Sequence, residues 1–299
     1  MKNAFGYEIP QIREIVTDSS VKETVAAMLT DVLTYLGLPQ TKSQNIVHQC
    51  LEAASSYQSL EAYEEQAHNI IDAEKITQKI PDKLTIRASL KASYIAPYLL
   101  DGNLLDYGCG DGQVSELIAK NKGIEVTLAD VYEHRRVKAT GLPFKLFKQG
   151  KKAPFDDAEF NNVLAITVFH HCSNPAQSIR DVARVTKPGG RVIVVESVFD
   201  VDGKQLPPAD QKKIAGYLNL SAEQQRLLNV FFDHFYNRIL FYSPNPEMKV
   251  NVPFNFNTPD NWKQIFAENC LKQEEVVHLG LDQPIAPEYH TLHVLRKMP

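Results

Sequence analysis

The chain is poor in several features that would place it quickly. Its four cysteines, Cys50, Cys109, Cys172 and Cys270, are scattered, with no Cys-x-x-Cys spacing. That pattern argues against a disulfide framework or a zinc ribbon and suits a reducing compartment. Positive charge is not in excess: 32 Lys and Arg face 36 Asp and Glu, a net charge of −4. No global basic field therefore argues for nucleic acid. No uninterrupted apolar run approaches the length of a membrane span. The opening residues, Met1-Lys2-Asn3-Ala4-Phe5, show no apolar signal core. Repeats and low-complexity tracts are lacking too. The expectation is a cytoplasmic α/β chain of 299 residues, one large domain plus an accessory piece.

The most informative stretch is Leu104-Leu105-Asp106-Tyr107-Gly108-Cys109-Gly110-Asp111-Gly112-Gln113, followed by Val114, Leu117 and Ile118 at helical spacing. It reads as strand, tight turn, helix. Glycines serve where the backbone bends sharply and approaches a ligand with no side chain between them. The following helix aims free N–H groups and a partial positive charge back at the turn. A dinucleotide fingerprint wants Gly-x-Gly-x-x-Gly or Ala, and its last place here falls on Gln113.

Downstream, Ile124-Glu125-Val126-Thr127-Leu128-Ala129-Asp130 alternates like a strand ending in an acid. Such an acid, about 20 residues past the glycines, can accept hydrogen bonds from both hydroxyls of a ribose. Phe144–Phe147 is the next expected strand. Asn162–Thr167 is the fourth, leading into Val168-Phe169-His170-His171-Cys172. Pro175–Arg184 reads as a helix, and Lys187-Pro188-Gly189-Gly190 as a tight turn before the buried strand Arg191–Glu196.

The spacing Asp106-x-Gly108-Cys109-Gly110-x-Gly112, the acid Asp130, Pro154-Phe155-x-Asp157-x-x-Phe160 and the Lys-Pro-Gly-Gly turn together resemble the class I S-adenosylmethionine (SAM)-dependent methyltransferases. The resemblance covers residues 101–200 well and 257–299 moderately. It implies a Rossmann-like, doubly wound sheet of seven mainly parallel strands with an antiparallel last strand. It implies SAM as methyl donor, contacted by Asp106, Gly108, Gly110, Gly112, Asp130, Val131, Tyr132, Gln149 and Thr167. The chain departs from the family at Gln149, where many members carry an acid near the adenine, and at Asn161, which also replaces an acid.

The remainder is helical. Residues 1–98 are expected to form a cap region, ahead of a SAM-binding domain over 99–299 with an insert at about 200–256. Val21–Leu36, a helix from Thr41, one over about 59–79 and one over Leu84–Leu100 (with Ile86, Leu90, Tyr94, Ile95 and Tyr98) make up the cap. In the insert, Ser221–Gln224 resembles a capping box. The helix it starts carries phenylalanines on one side and Asp233, His234, Tyr236, Asn237 and Arg238 on the other, which suits either a lid or a packed helix with a solvated polar side. Thr258-Pro259 opens another helix, and strands over about 272–279 and 289–295 close the sheet.

Methyl displacement requires alignment, and some acceptors also need a base. Candidates are His170, His171, Glu196 and, if the insert folds over, His234 and Tyr236, histidine being apt because its pKa lies near working pH. A metal held by His170, His171, Cys172, His234, His278, Glu288, His290 or His293 lacks the expected spacings, and none is assigned as a ligand. The expected partner is a small organic molecule methylated at oxygen, nitrogen or carbon; no membrane is expected, nucleic acid is disfavoured, and homodimerisation is left open. A macromolecule-directed methyltransferase and a non-catalytic SAM-binding relative are the competing readings.

Overall fold

The computed structural model describes residues 10–245, 249–281 and 287–299. Seven strands form one sheet: β1 (Leu104–Tyr107), β2 (Val126–Asp130), β3 (Phe144–Leu146), β4 (Phe160–Ile166), β5 (Thr186–Ser197), β6 (Leu271–Leu281) and β7 (Tyr289–Lys297), in the order β3-β2-β1-β4-β5-β7-β6. β1 runs parallel to β2 and β4, β2 to β3, and β4 to β5. β6 and β7 close the sheet as an antiparallel pair, with Met298 N donating to Cys270 O at 3.0 Å. This is the expected Rossmann-like fold, with β1 at the point where strand order reverses. Central strands buried on both faces read as continuous apolar runs, and Val163, Leu164, Val192, Ile193 and Val194 are fully buried.

The helices are α1 (Pro10–Thr17), α2 (Ser19–Tyr35), α3 (Gln40–Ser56), α4 (Leu60–Asp72), α5 (Ile80–Ile95), α6 (Gln113–Lys122), α7 (Val137–Thr140), α8 (Pro175–Val185), α9 (Pro208–Lys213), α10 (Ala215–Leu218), α11 (Ala222–His234) and α12 (Pro259–Glu268). The chain forms two compact units. One comprises 1–83, 197–258 and 278–290, and the other 84–196, 259–277 and 291–299. The second unit takes in α5 from Leu84 onwards.

In the first unit, Asp18 caps α2 by accepting from Val21 N at 3.0 Å. α11 carries the expected capping box between Ser221 and Gln224, and Gln224 Nε2 also reaches Asp18 at 3.2 Å. The expected 59–79 helix is shorter: α4 ends at Asp72, Lys75 takes a left-handed φ of 55°, and a 3₁₀ turn covers Ile76–Lys79. α5 begins earlier than expected, with Pro81 in its first turn, where a missing N–H costs nothing. The polar side of α11 is not solvated. Gln225, Asn229, Asp233 and His234 are buried, as is Arg238 in the π-helical turn Phe235–Leu240 that follows.

In the second unit, Phe160 pairs with Thr186 and Asn162 with Arg191, so Lys187–Gly190 loop out opposite Asn161. That is the Lys-Pro-Gly-Gly turn, and Lys187 Nζ donates to Asn161 Oδ1 at 2.8 Å. α12 buries Trp262 and Phe266 against Phe169. α5 buries Ala88, Ala92 and Ile95, while Ile86, Leu90 and Tyr94 stand about half exposed.

Candidate active site

The glycine turn joins β1 to α6 at the carboxyl edge of the sheet. Gly108 N and Cys109 N both donate to Ala129 O, at 2.8 and 3.1 Å, which locks the turn to β2. Gly108 has φ 79°, and a Cβ there would stand 2.5 Å from Val168 Cγ2, so no larger residue fits. Gly110, at φ 53°, differs: a Cβ would meet nothing within 4 Å and would project into open space over the turn. Gly112 (φ 75°) is the N-cap of α6, and the Asp111 carboxylate accepts from Gln113 N at 3.0 Å.

Three carboxylates surround this turn. Asp130, at the end of β2, accepts from Gly110 N at 2.8 Å through Oδ2 and from Val131 N at 2.6 Å through Oδ1. Burial pushes its pKa up, against the pull of those N–H donors. Asp106 is buried and turned towards α6, where Ser115 Oγ donates to its Oδ2 at 2.6 Å. Burial, with Asp130 and Asp111 as like-charged neighbours, raises its pKa to about 7 despite that hydrogen bond. Concentrated negative charge favours a cationic ligand and opposes phosphates. Sequence reasoning singled out Asp106 and Asp130 but missed Asp111, whose signal was the acid between two turn glycines. Val131 and Tyr132 follow Asp130 on the surface, 47% and 45% exposed, a large apolar area for two residues beside a buried carboxylate.

The second component is the loop after β4. Thr167 has φ 53°, an outlier for a β-branched residue. Its N–H donates to Val195 O at 2.7 Å, anchoring the kink to β5. Strain of this kind gathers at functional sites. Glu196, fully buried at the end of β5, then holds the loop with both oxygens. Oε1 accepts from Val168 N at 3.0 Å and Phe169 N at 2.7 Å, and Oε2 faces His170 Nδ1 at 2.5 Å. His170 is buried, and the His171 ring lies 4.1 Å from it between centroids. Gln149 Nε2 donates to His171 O at 3.4 Å, linking the end of β3 to the same loop. Asp106, Gly108, Gly110, Gly112, Asp130, Val131, Tyr132, Gln149, Thr167, His170, His171 and Glu196 thus all belong to the second unit.

His234 belongs to the first unit. It is buried there, stacked on Tyr63, with Nε2 3.2 Å from Glu64 Oε1. Burial lowers the His234 pKa. Burial also works to raise the Glu64 pKa, but His234, Arg238 and Lys249 outweigh it and hold the carboxyl at about 2. Tyr236 packs edge-on against Phe241 in the same unit. Ser197, next to Glu196, donates to Glu288 and receives His290 Nε2 at 2.9 Å, a buried cluster that sequence reasoning did not assemble. The remaining ring contacts of the metal reading are with protein groups: His278 Nδ1 meets Tyr289 Oη at 3.1 Å and His293 Nδ1 meets Gln273 Oε1 at 2.7 Å.

Residues 105–194 match a family described as a methyltransferase domain. The 27-O-demethylrifamycin SV methyltransferase of Amycolatopsis mediterranei is 28% identical over 120 residues, 37% of this chain and 44% of that one. The chloroplastic tocopherol O-methyltransferase of Arabidopsis thaliana is 33% identical over 101 residues, 31% of this chain and 29% of that one. A SAM-dependent methyltransferase from Methanosarcina mazei superposes with a TM-score of 0.48 at 18% identity, covering 69% of this chain and 97% of that one. The matched segment spans less than half the length of these two curated relatives.

Proposed function

We propose that this chain, whose residues 105–194 match a methyltransferase-domain family, is a class I SAM-dependent methyltransferase that transfers a methyl group from SAM to an oxygen, nitrogen or carbon atom of a small organic molecule. The observation that carries the reading is the ring of three carboxylates, Asp106, Asp111 and Asp130, about a glycine turn with open space over Gly110. A ligand bearing a sulfonium and an ammonium fits that field, whereas a dinucleotide would bring two phosphates into it.

Asp130 takes the ribose hydroxyls, and Val131 and Tyr132 cover the adenine face with Gln149 at its edge. The backbone of Gly108–Gly112 lies against the amino-acid portion, and Thr167 lines the crevice near the methyl position. Bound there, SAM supplies an electrophilic methyl on a good leaving group. The protein's contribution is alignment, which is worth up to about 7–11 kcal/mol. His170 completes the chemistry. With Nδ1–H donated to Glu196, Nε2 is the basic nitrogen and accepts the proton that an acceptor hydroxyl or amine gives up. Glu196 orients the ring and stabilises the imidazolium, and His171 flanks it.

The names of the relatives, which refer to rifamycin SV and tocopherol, support a small organic acceptor. The test is transfer of radiolabelled methyl from SAM across a panel of phenolic, enolic and amine acceptors. Label appearing in a small product, absent in His170→Ala, supports the reading. Saturable SAM binding with no transfer to any acceptor overturns the enzymatic part of it.

A further inference from the structure

Between His134 and Phe155 the chain has seven Lys and Arg and no Asp or Glu, in a protein whose net charge is −4. Arg136 is tied to Glu116 at 2.6 Å, and Lys138 faces Glu133 at 3.9 Å. Arg135, Lys145, Lys148, Lys151 and Lys152 are exposed and make no ion pair among the described residues. Lys145 lies on β3, one of the two edge strands of the sheet, Lys148, Lys151 and Lys152 follow it, and Arg135 precedes α7.

Two details distinguish this strip from a merely charged edge. First, the backbone turn that carries the cations after β3 is fixed. Lys151 N donates to Lys148 O at 3.0 Å, closing a turn with Gly150 at φ 72°, and Gln177 Nε2 on α8 donates to Gly150 O at 2.7 Å. Second, Leu146, between Lys145 and Phe147, is 60% exposed, the largest exposure among the large apolar side chains described. An edge strand is ordinarily kept polar, because an apolar one invites unwanted pairing. Lysines alone would serve that purpose, and a bare leucine among them works against it.

We propose that this strip docks on an anionic membrane surface, with Arg135, Lys145, Lys148, Lys151 and Lys152 lying among acidic headgroups and Leu146 entering the interface. Basic side chains mixed with an exposed aliphatic one suit a lipid interface, where electrostatic attraction and apolar burial add. A single-stranded nucleic acid would instead call for planar side chains on which bases stack, and the exposed residues of β3, Lys145 and Leu146, offer none. Among the described residues no helix is long and apolar enough to cross a membrane, so the attachment is peripheral. It would place the crevice at the carboxyl edge of the sheet beside a surface from which an apolar acceptor can be drawn.

Co-sedimentation of the full chain with vesicles decides the matter. At low salt the protein is expected to pellet with phosphatidylcholine vesicles containing phosphatidylserine and not with phosphatidylcholine alone, and to be released by half-molar sodium chloride. Each cation near such a surface is worth about fivefold in partitioning. The variant K145E/K148E/K151E/K152E should therefore lose at least a hundredfold, and Leu146→Ser about tenfold. Unchanged melting temperatures show that both variants remain folded, and unchanged SAM affinity separates this face from the cofactor site. Three results would overturn the proposal: no pelleting with acidic vesicles; pelleting that the fourfold variant retains; or pelleting indifferent to Leu146→Ser with tighter binding to a single-stranded RNA oligonucleotide, which marks a general polyanion surface.

Discussion

His170 Nδ1 lies 2.5 Å from Glu196 Oε2, while Glu196 Oε1 accepts from the backbone N–H groups of Val168 and Phe169. One buried carboxylate thereby shapes the loop after β4 and sets the imidazole tautomer. These two tasks can be separated. In Glu196→Gln the amide oxygen can still accept from the backbone, but the amide nitrogen donates towards Nδ1 and moves the ring proton to Nε2. The expected outcome is a fall in kcat of about 10²–10⁴, with SAM affinity and melting temperature little changed. Steady-state kinetics beside calorimetry checks this, and full activity would remove His170 from the chemistry.

Asp130→Ala should weaken SAM and S-adenosylhomocysteine binding at least about tenfold, roughly 1.4 kcal/mol, without unfolding the chain. Calorimetric titration of the variant reads it directly. Wild-type affinity would defeat the ribose assignment.

The two glycines should respond differently to alanine. Gly108→Ala drives a methyl into Val168 at 2.5 Å and should lower thermal stability. Gly110→Ala meets no protein atom within 4 Å, so its stability cost is the left-handed φ alone, about 1–2 kcal/mol. Its main effect should be lost cofactor affinity, because the methyl enters the proposed ligand space. Melting curves and binding isotherms on the pair make the comparison.

Asp106 predicts a pH dependence. Its folded pKa, about 7, lies above the unfolded value near 4. The folded state therefore holds a proton that the unfolded state has released, and stability falls as pH rises from about 4 to about 7. Asp106→Asn should flatten that decline, with a gain at pH 8 of up to about 4 kcal/mol. A cation in the site favours the ionised form, so wild-type SAM affinity should rise between pH 6 and 8, and the variant's should not. Denaturant unfolding and calorimetry across that range test both.

Glu64 predicts the opposite sign. Its folded pKa of about 2 is depressed below the unfolded value near 4.3. Its stabilising contribution is present above the unfolded pKa and is lost as pH falls through about 4 towards 2. Glu64→Gln leaves Arg238 and Lys249 without their buried carboxylate and should cost about 3–5 kcal/mol at pH 7. The difference from wild type should shrink in acid, as acid-unfolding curves will reveal.

The parts of this structure legible in the sequence are those whose cause is local. The glycine spacing, the strand ending at Asp130, the Ser221 capping box and the Lys187–Gly190 turn depend on neighbours within a few residues, and each lies where its residues predict. The rest depends on partners distant in sequence. That Asp106 turns to Ser115, that Glu196 reaches back to Val168 and Phe169, and that Glu64 gathers Arg238 and Lys249 are consequences of packing. Apolar spacing misled at α5. Its small residues Ala88 and Ala92 face inward, leaving Ile86, Leu90 and Tyr94 exposed, because close packing on a helix can favour alanine over bulk. Asp233, His234 and Arg238 read as the polar side of a lid or as a solvated face, and they are buried instead, with Glu64 beside His234 and Arg238 and Asn237 bonded to Asp233.

The claim everything else rests on is that a carboxylate-ringed glycine turn holds a cationic sulfonium nucleoside. Isothermal titration of the purified chain with SAM measures it most directly. Saturable one-to-one binding is expected, with proton release near pH 7 that disappears in Asp106→Asn. No binding of SAM or S-adenosylhomocysteine at millimolar concentration would contradict it.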